Sequence, residues 1–222
     1  MRLGCGGCLG SLFGLGLLVA VVAAPIWVGF RIFQDSGVPL PAASASDGFR
    51  AQQKLYEVGR RASRTGRSAP GEPIALTDRE VSAFLANHLG EAADLPLSGV
   101  VARMPARGEA EIMGRLPLRQ LLSEEPFATV RDALPVDWLD RPVWLRLRGD
   151  FMVEVATPPA TRRALRFDVE RFWIGRQRVP ALLLRLLLHP SALRVLRWPL
   201  PEGVEAVVVE PGRLVIRTTG EH

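Results

Sequence analysis

Cysteine and histidine are scarce in this 222-residue chain, and their scarcity argues against several kinds of site. Both cysteines, Cys5 and Cys8, precede residue 9, so the rest of the chain can form no internal disulfide. The histidines, His88, His189 and His222, are far apart, and Cys5-Gly-Gly-Cys8 lacks the second pair that a tetrahedral zinc site needs. We expect no metal and no cofactor. We interpret the CGGC segment as a flexible cap before the next segment, with lipid attachment or a metal shared across a dimer left open.

Motifs that carry catalysis are also missing. The sequence contains no GxSxG, no HExxH and no phosphate-binding loop. Two acidic pairs, Asp137 with Asp140 and Glu124 with Glu125, lie beside prolines, where solvated turns are the simpler interpretation. The sequence therefore predicts a protein that is not an enzyme, and it names no ligand.

Lysine is rare as well: Lys54 is the only lysine among 28 basic residues. The net charge of +5 falls to +3 without residues 1–34, because removing Arg2 and Arg31 leaves 26 basic and 23 acidic residues. This excess is too small to indicate a nucleic-acid-binding surface. The preference for arginine, with abundant alanine, glycine and proline, is typical of a high-GC bacterial genome.

An uncharged run of 22 residues, Leu9–Phe30, dominates the beginning of the chain. At about 1.5 Å per residue, a helix of this length crosses a hydrocarbon core of about 30 Å. Trp27 and Phe30 suit the far membrane interface, with Arg31 just beyond. The sequence predicts a transmembrane helix over residues 9–30.

The apolar run does not resemble a cleaved signal peptide. It exceeds the usual apolar region of about 7–15 residues, and Pro25 follows the weak Val22-Ala23-Ala24 cleavage site. We therefore predict a retained single-pass anchor in the cell inner membrane, with residues 1–8 in the cytoplasm and the large domain on the extracytoplasmic side. The arginines beyond the span favour the opposite orientation, which stays open.

Two segments separate the anchor from the domain. Residues 31–47 are rich in proline, serine, alanine and glycine and are predicted to be a linker. Residues 48–73 are predicted to be a basic helix followed by a loop. Four cations are candidate contacts to anionic lipid head groups, and a solvated charged face is the alternative: Arg50, Lys54, Arg60 and Arg61.

Residues 74–222 are predicted to form an α+β domain. The strand 74–76 is followed by a capping box, Thr77 with Glu80, and by a helix that ends near Leu89. Apolar residues then alternate in three hairpins, 98–116, 143–174 and 204–218. The odd positions of 143–155 face inward, and a change of phase near Arg171 predicts a β-bulge. We predict a curved antiparallel sheet of hairpins with helices packed on one face and with its other face exposed to water.

The leucine-rich segment 180–201 carries the main functional signal. It is apolar on nearly every side of a helix, which is typical of a buried core helix or of contact with something apolar. Three interpretations stay open: a core helix, a channel for an acyl chain formed with strand 143–155, and docking on the bilayer. The candidate contact residues are Phe151, Val153, Leu182, Leu183, Leu186, Leu187 and Trp198.

Two phrases carry a resemblance: Ile-Ala-Leu-Thr-Asp-Arg-Glu-Val-Ser-Ala-Phe-Leu at 74–85 and Ile-Gly-x-x-x-Val-Pro-Ala-Leu-Leu at 174–183. With the single span and the linker, they resemble bacterial membrane-anchored domains of unknown function. Some of those domains are suspected of a fold related to the tubular lipid-binding (TULIP) superfamily. The resemblance covers about residues 74–218 and implies a lipid-binding fold but no site residues. Ser82 stands where this resemblance implies an asparagine.

Two functional hypotheses follow. In the first, the exported domain binds or holds a lipid-like apolar ligand, so that its partner is a membrane lipid. In the second, the domain is a scaffold that binds another envelope protein and no ligand. An open apolar groove favours the first hypothesis, and a filled core favours the second.

Overall fold

The computed structural model describes residues 27, 29–35, 37, 43–63, 72–93, 96–123, 127–155, 163–184 and 196–218. Most of the predicted transmembrane helix lies outside these residues. Within the part of the chain that is described, no helix is both long enough and apolar enough to cross a membrane.

Two longer helices and several short helical turns are present. The longer helices are α1 (Ala45–Ala62) and α2 (Asp78–Ala93). The shorter ones are α3 (Leu118–Leu121), α4 (Ala128–Ala133), α5 (Val136–Leu139) and a 3₁₀ turn (Ala181–Leu183).

The strands alternate with these helices along the chain. They are β1 (Ile74–Thr77), β2 (Ser98–Ala106), β3 (Glu109–Pro117), β4 (Pro142–Val155), β5 (Arg163–Ile174), β6 (Gln177–Val179), β7 (Arg197–Pro199), β8 (Val204–Glu210) and β9 (Arg213–Thr218). The predicted α+β class with antiparallel strand pairing is confirmed.

The strands form two sheets, so the prediction of one curved sheet is wrong. One sheet has the order β2-β3-β4-β5-β6, with β7 also paired to β5. The other has the order β1-β9-β8, in which Ile74 lies opposite Ile216. The sheets meet where the Gly212 N–H donates to the Met104 carbonyl (2.9 Å) and the Gly108 N–H to the Val209 carbonyl (3.0 Å). The last hairpin pairs with the distant strand β1 and does not join the larger sheet.

The longest strand pair, β4 with β5, contains the predicted bulge. Arg148 lies opposite Arg171 and Gly149 opposite Val169, so Glu170 is the extra residue. A side chain at Gly149 would place its Cβ 1.8 Å from the Asp168 carbonyl oxygen. Only glycine therefore permits this backbone approach, and the bulge keeps apolar residues of β5 on the inner face at both ends.

The inner face of the larger sheet carries two hydrophobic clusters. One cluster lies at the start of β4, next to the residues that follow the predicted transmembrane helix, and we call it the anchor-side cluster. It contains Leu116, Leu118, Leu121, Leu122, Val143, Leu145, Phe172, Ile174 and Leu184. The second cluster lies under α1 and α2 and includes Leu76, Val81, Leu85, Phe167 and Ile216. Leu147 and Val169 pack against both clusters, so the apolar face is continuous along β4.

The sequence predicts that the outer face of this sheet is exposed to water, but part of this face is buried. Val101, Met113 and Trp144 form a small buried cluster there. The Arg115 guanidinium lies 4.4 Å from the Trp144 ring centroid, and its stem covers apolar surface. Glu111 is only 7% exposed and lies 3.5 Å from Arg146.

Both ends of the predicted linker, 31–47, differ from the prediction. Helix α1 begins at Ala45 because the Ser44 hydroxyl accepts from the Asp47 N–H and the Asp47 carboxylate accepts from the Ser44 N–H. At the other end, Ile32 and Phe33 pack against the anchor-side cluster. The helix predicted to stop near Leu89 continues to Ala93, through Gly90.

Replacing the glycine at the bulge tests its role. Gly149→Ala is expected to lower the free energy of unfolding by about 3 kcal/mol, because backbone must move to admit the methyl group. Denaturant titration of the purified protein measures this change. The matched control is Gly59→Ala in α1, where a Cβ meets no atom within 4 Å; it is expected to stabilise the protein by about 0.5–1 kcal/mol. Equal effects of the two substitutions would contradict this account.

Candidate functional site

A cavity of about 320 Å³ lies between the two long helices and the ends of both sheets, and it is partly open to solvent. Each of its described lining residues is apolar. They are Leu55, Val58, Gly59, Leu76, Val81, Phe84, Leu85, Phe151, Leu165, Trp198, Pro199, Leu200, Pro201, Val204, Val207, Leu214 and Ile216. Such a lining is almost entirely apolar and suits an apolar molecule.

Helical spacing turns the apolar side chains of α1 and α2 towards this cavity. Leu55 and Val58 are three residues apart in α1, and Val81, Phe84 and Leu85 occupy one face of α2. The two helices pack on each other and leave space between themselves and the β8–β9 hairpin.

Aromatic rings form the wall that the larger sheet contributes. The Phe151 ring centroid lies 5.0 Å from that of Phe167 and 6.0 Å from that of Trp198. Trp198 reaches this position because β7 pairs with β5, which places Trp198 opposite Leu165. The cavity wall therefore depends on the three-residue strand β7, although the sequence predicts a helical segment at this position.

A buried ion pair holds α1 against α2 beside the cavity. Glu80 is 3% exposed, and its Oε2 accepts from Lys54 Nζ at 2.8 Å and from the Thr77 N–H at 2.8 Å. Lys54 also donates to the Ala75 carbonyl at 2.7 Å. Burial alone would raise the pKa of Glu80, but the hydrogen bonds from Lys54 and Thr77 lower it below its usual value.

The other three predicted head-group contacts are also paired inside the chain. Arg50 binds Asp47, while Arg60 and Arg61 bind Glu57. Hydrogen bonds from Ser44, aided by Arg50, lower the pKa of Asp47 to about 2. These carboxylates offset much of the positive charge on α1, and contact with lipid head groups stays a prediction.

Two polar side chains of α2 attach it to the edge strand β2. The Ser82 hydroxyl accepts from the Ala102 N–H at 2.9 Å and lies 2.6 Å from the Asp78 carbonyl. The Asp78 carboxylate accepts from the Met104 N–H at 3.0 Å, and burial raises its pKa. Backbone groups that an edge strand would expose are thereby satisfied, and the small serine fits this fully buried position.

The structure separates the seven residues predicted to contact a ligand or membrane. Phe151 and Trp198 line the cavity. Val153 is half-buried two residues further along β4 and is not among the described lining residues. Leu183 packs against the anchor-side cluster, and Leu182 is 73% exposed beside it. Leu186 and Leu187 lie outside the described residues.

Most cavity residues were not identified from the sequence, although their helices and hairpin were. The spacing of Val81, Phe84 and Leu85 indicates one apolar helix face, but it does not distinguish a cavity wall from an ordinary core. Among the residues that the structure describes, no group of three histidine, cysteine or acidic side chains could hold a metal ion.

No protein family, curated protein or solved structure matches this chain. The function is therefore inferred from the geometry of the cavity and from the sequence.

Removing the lysine of the buried pair tests how strongly it holds the helices. Lys54→Met removes the nearer of the two cations beside the buried Glu80 carboxylate and leaves only Arg50, whose Nε lies 3.7 Å from Glu80 Oε1. We expect a loss of about 2 kcal/mol in unfolding free energy at pH 7, less than the roughly 3–5 kcal/mol of a fully buried pair, because Lys54 is partly exposed.

The pH dependence distinguishes this ion pair from simple packing. In the natural protein the lowered pKa of Glu80 adds stability above its usual pKa, and this stability is lost as the pH falls through the lowered value. In Lys54→Met the pKa of Glu80 is expected to rise, so the deficit is largest near neutral pH and shrinks in acid. Denaturant titrations between neutral and acid pH measure this deficit in unfolding free energy. Arg60→Met is the control and is expected to change the unfolding free energy little. A deficit independent of pH would contradict the prediction.

Proposed function

We propose that this protein is a single-pass, membrane-anchored envelope protein whose exported α+β domain holds a lipid-like apolar ligand in the cavity between α1, α2 and the β8–β9 hairpin. The proposed function is binding rather than catalysis. The observation that supports it most directly is the apolar lining of a cavity of about 320 Å³. The uncharged run Leu9–Phe30 supports the anchor.

The size of the cavity suits part of an acyl chain. A cavity of about 150 Å³ lined by leucine, isoleucine and phenylalanine accepts benzene, which has six carbon atoms. Scaled by volume, the present cavity has room for about a dozen carbon atoms. Each buried methylene contributes about 0.8 kcal/mol, so a chain of this length gains enough to offset the cost of association.

An empty cavity of this size would be costly for the domain. Because the cavity is partly open to solvent, its apolar lining is exposed to water when no ligand is bound. Water gains little there because the lining offers almost no hydrogen-bonding partners. An apolar occupant removes this cost, and the scaffold hypothesis with a filled core does not explain the cavity.

Lipid binding is tested on the protein purified from membranes. We expect native mass spectrometry to show a co-purifying apolar molecule. We also expect a brominated fatty acid to quench the fluorescence of Trp198, which is identified as the part of the tryptophan fluorescence that Trp198→Phe removes. Trp198 is the reporter because its ring lies in the cavity wall.

A matched pair of substitutions assigns the signal to the cavity. Val207→Trp fills the cavity and is expected to abolish co-purification and quenching, whereas Val208→Trp, next to it but not among the described lining residues, is expected to retain both. Equal binding by the two variants would contradict the assignment. Absence of any bound molecule, with no quenching in the natural protein, would favour the scaffold hypothesis instead.

A further inference from the structure

The segment that follows the predicted transmembrane helix is packed against the domain. Ile32 and Phe33 lie on the anchor-side cluster, and the Phe33 ring contacts Trp138 edge-on at 5.8 Å between centroids. The Asp35 carboxylate accepts from the Trp144 Nε1–H at 2.7 Å, and the Arg176 N–H donates to the Arg31 carbonyl at 2.9 Å. We call residues 31–35 the strap.

Gly175 shows how closely the strap approaches the domain. A Cβ at this position would lie 2.2 Å from the Ile32 carbonyl oxygen and 2.5 Å from that of Arg31. Any side chain there would push the strap away. The backbone of the strap packs directly against the backbone of Gly175, so the strap has a defined position on the turn between β5 and β6.

Exposed apolar side chains surround this end of the domain. Val136 and Trp138 on α5 are 65% and 44% exposed, Val130 on α4 is also exposed, and Leu182 projects from the 3₁₀ turn. Leu134, directly after α4, Leu139 of α5 and Leu183 of the 3₁₀ turn pack against the anchor-side cluster. Phe30, at the end of the uncharged run, is exposed as well. We call Val130, Val136, Trp138 and Leu182 the apolar end face.

We propose that the apolar end face rests on the bilayer in which the protein is anchored and that the strap fixes the domain in this orientation. The proposal rests on the membrane anchor of the proposed function but not on ligand binding. Phe30 ends a run long enough to cross the bilayer, and Ile32 lies only two residues further on. Because the strap is bound to the domain, no flexible linker separates the domain from the predicted transmembrane helix. The apolar end face therefore lies beside the membrane surface.

The residues of the apolar end face have the chemistry of side chains that contact the lipid interface. Tryptophan is enriched where membranes meet water, with one part of its ring apolar and the other polar. The guanidinium of Arg31 lies 4.5 Å from the Trp27 ring centroid, and that of Arg141 lies 5.5 Å from the Phe33 ring centroid. Aromatic rings and arginines at this level are typical of a protein that sits in the head-group region.

This orientation places the cavity far from the bilayer. Val143 belongs to the anchor-side cluster and Phe151 lines the cavity, eight residues along β4. At about 3.3 Å per residue, the two ends are separated by about 26 Å. The ligand is therefore held out towards the space beyond the membrane.

Spin labels on the full-length protein in phosphatidylethanolamine–phosphatidylglycerol vesicles test the orientation. Cys5→Ser and Cys8→Ser remove the native thiols, and single cysteines are introduced by Val136→Cys, Leu182→Cys and Met152→Cys. Labels at 136 and 182 are expected to be accessible to oxygen in the bilayer and to lose nearly all accessibility to a water-soluble nickel chelate. Met152 is an exposed apolar residue next to Phe151, so its label is expected to report water.

A second pair of variants tests the strap. Gly175→Ala displaces the strap and is expected to return the label at 182 to water. Gly108→Ala is the control, because its backbone is also left-handed (φ +75° against +58°) but a Cβ there meets nothing within 4 Å. It is expected to leave the label in lipid.

Three outcomes overturn the proposal: water at both 136 and 182, lipid at 152, or equal behaviour of Gly175→Ala and Gly108→Ala. Ligand co-purification is measured on the same samples. Loss of the orientation with a bound ligand present would overturn this proposal alone, and an empty cavity with the orientation intact would overturn ligand binding alone.

Discussion

The antiparallel pair β4–β5 is the constraint on which the rest of the domain depends. Its strands extend from the anchor-side cluster to the cavity, and both clusters pack on its inner face. An uninterrupted two-residue period in β5 would turn either Phe167 or Phe172 to the outer face. The extra residue at Glu170 prevents this, and it is possible only because Gly149 lets the Asp168 carbonyl approach. One local irregularity thus keeps two distant cores on one surface.

Polar contacts add to the apolar packing of the second cluster in holding the elements around the cavity. Lys54 and Glu80 join α1 to α2, and Ser82 and Asp78 join α2 to β2. These contacts fix the helices at a distance from the β8–β9 hairpin without requiring the space between them to be filled. A domain that relied on apolar packing alone would gain stability by closing this space.

Features encoded by local pattern were predictable from the sequence. The alternation in 143–155, the phase change near Arg171 and the Thr77–Glu80 capping box each depend on residues close together in the chain, and the structure contains all three. The hairpins were also placed within a few residues of their observed bounds. Period and capping are properties that neighbouring residues determine.

The remaining features depend on residues far apart in the chain. Pairing of β1 with β9 joins residues 74–77 to 213–216, and no local signal indicates it. The cavity combines Leu55, Val81, Phe151, Trp198 and Val207, whose apolar character is equally compatible with a filled core. The strap was predicted to be part of a linker because its neighbours are small and polar. Only the fold shows that Ile32 and Phe33 find a partner surface.

The position of Lys54 has a consequence for chemical labelling. It is the only lysine of the chain, and its ammonium group is engaged by Glu80 and by the Ala75 carbonyl. This ammonium group must lose a proton and its hydrogen-bond partners before it can be acylated. Because the side chain is partly exposed, breaking its contacts with Glu80 and Ala75 is sufficient, so the rate of acylation at Lys54 would report how often this link between α1 and α2 opens.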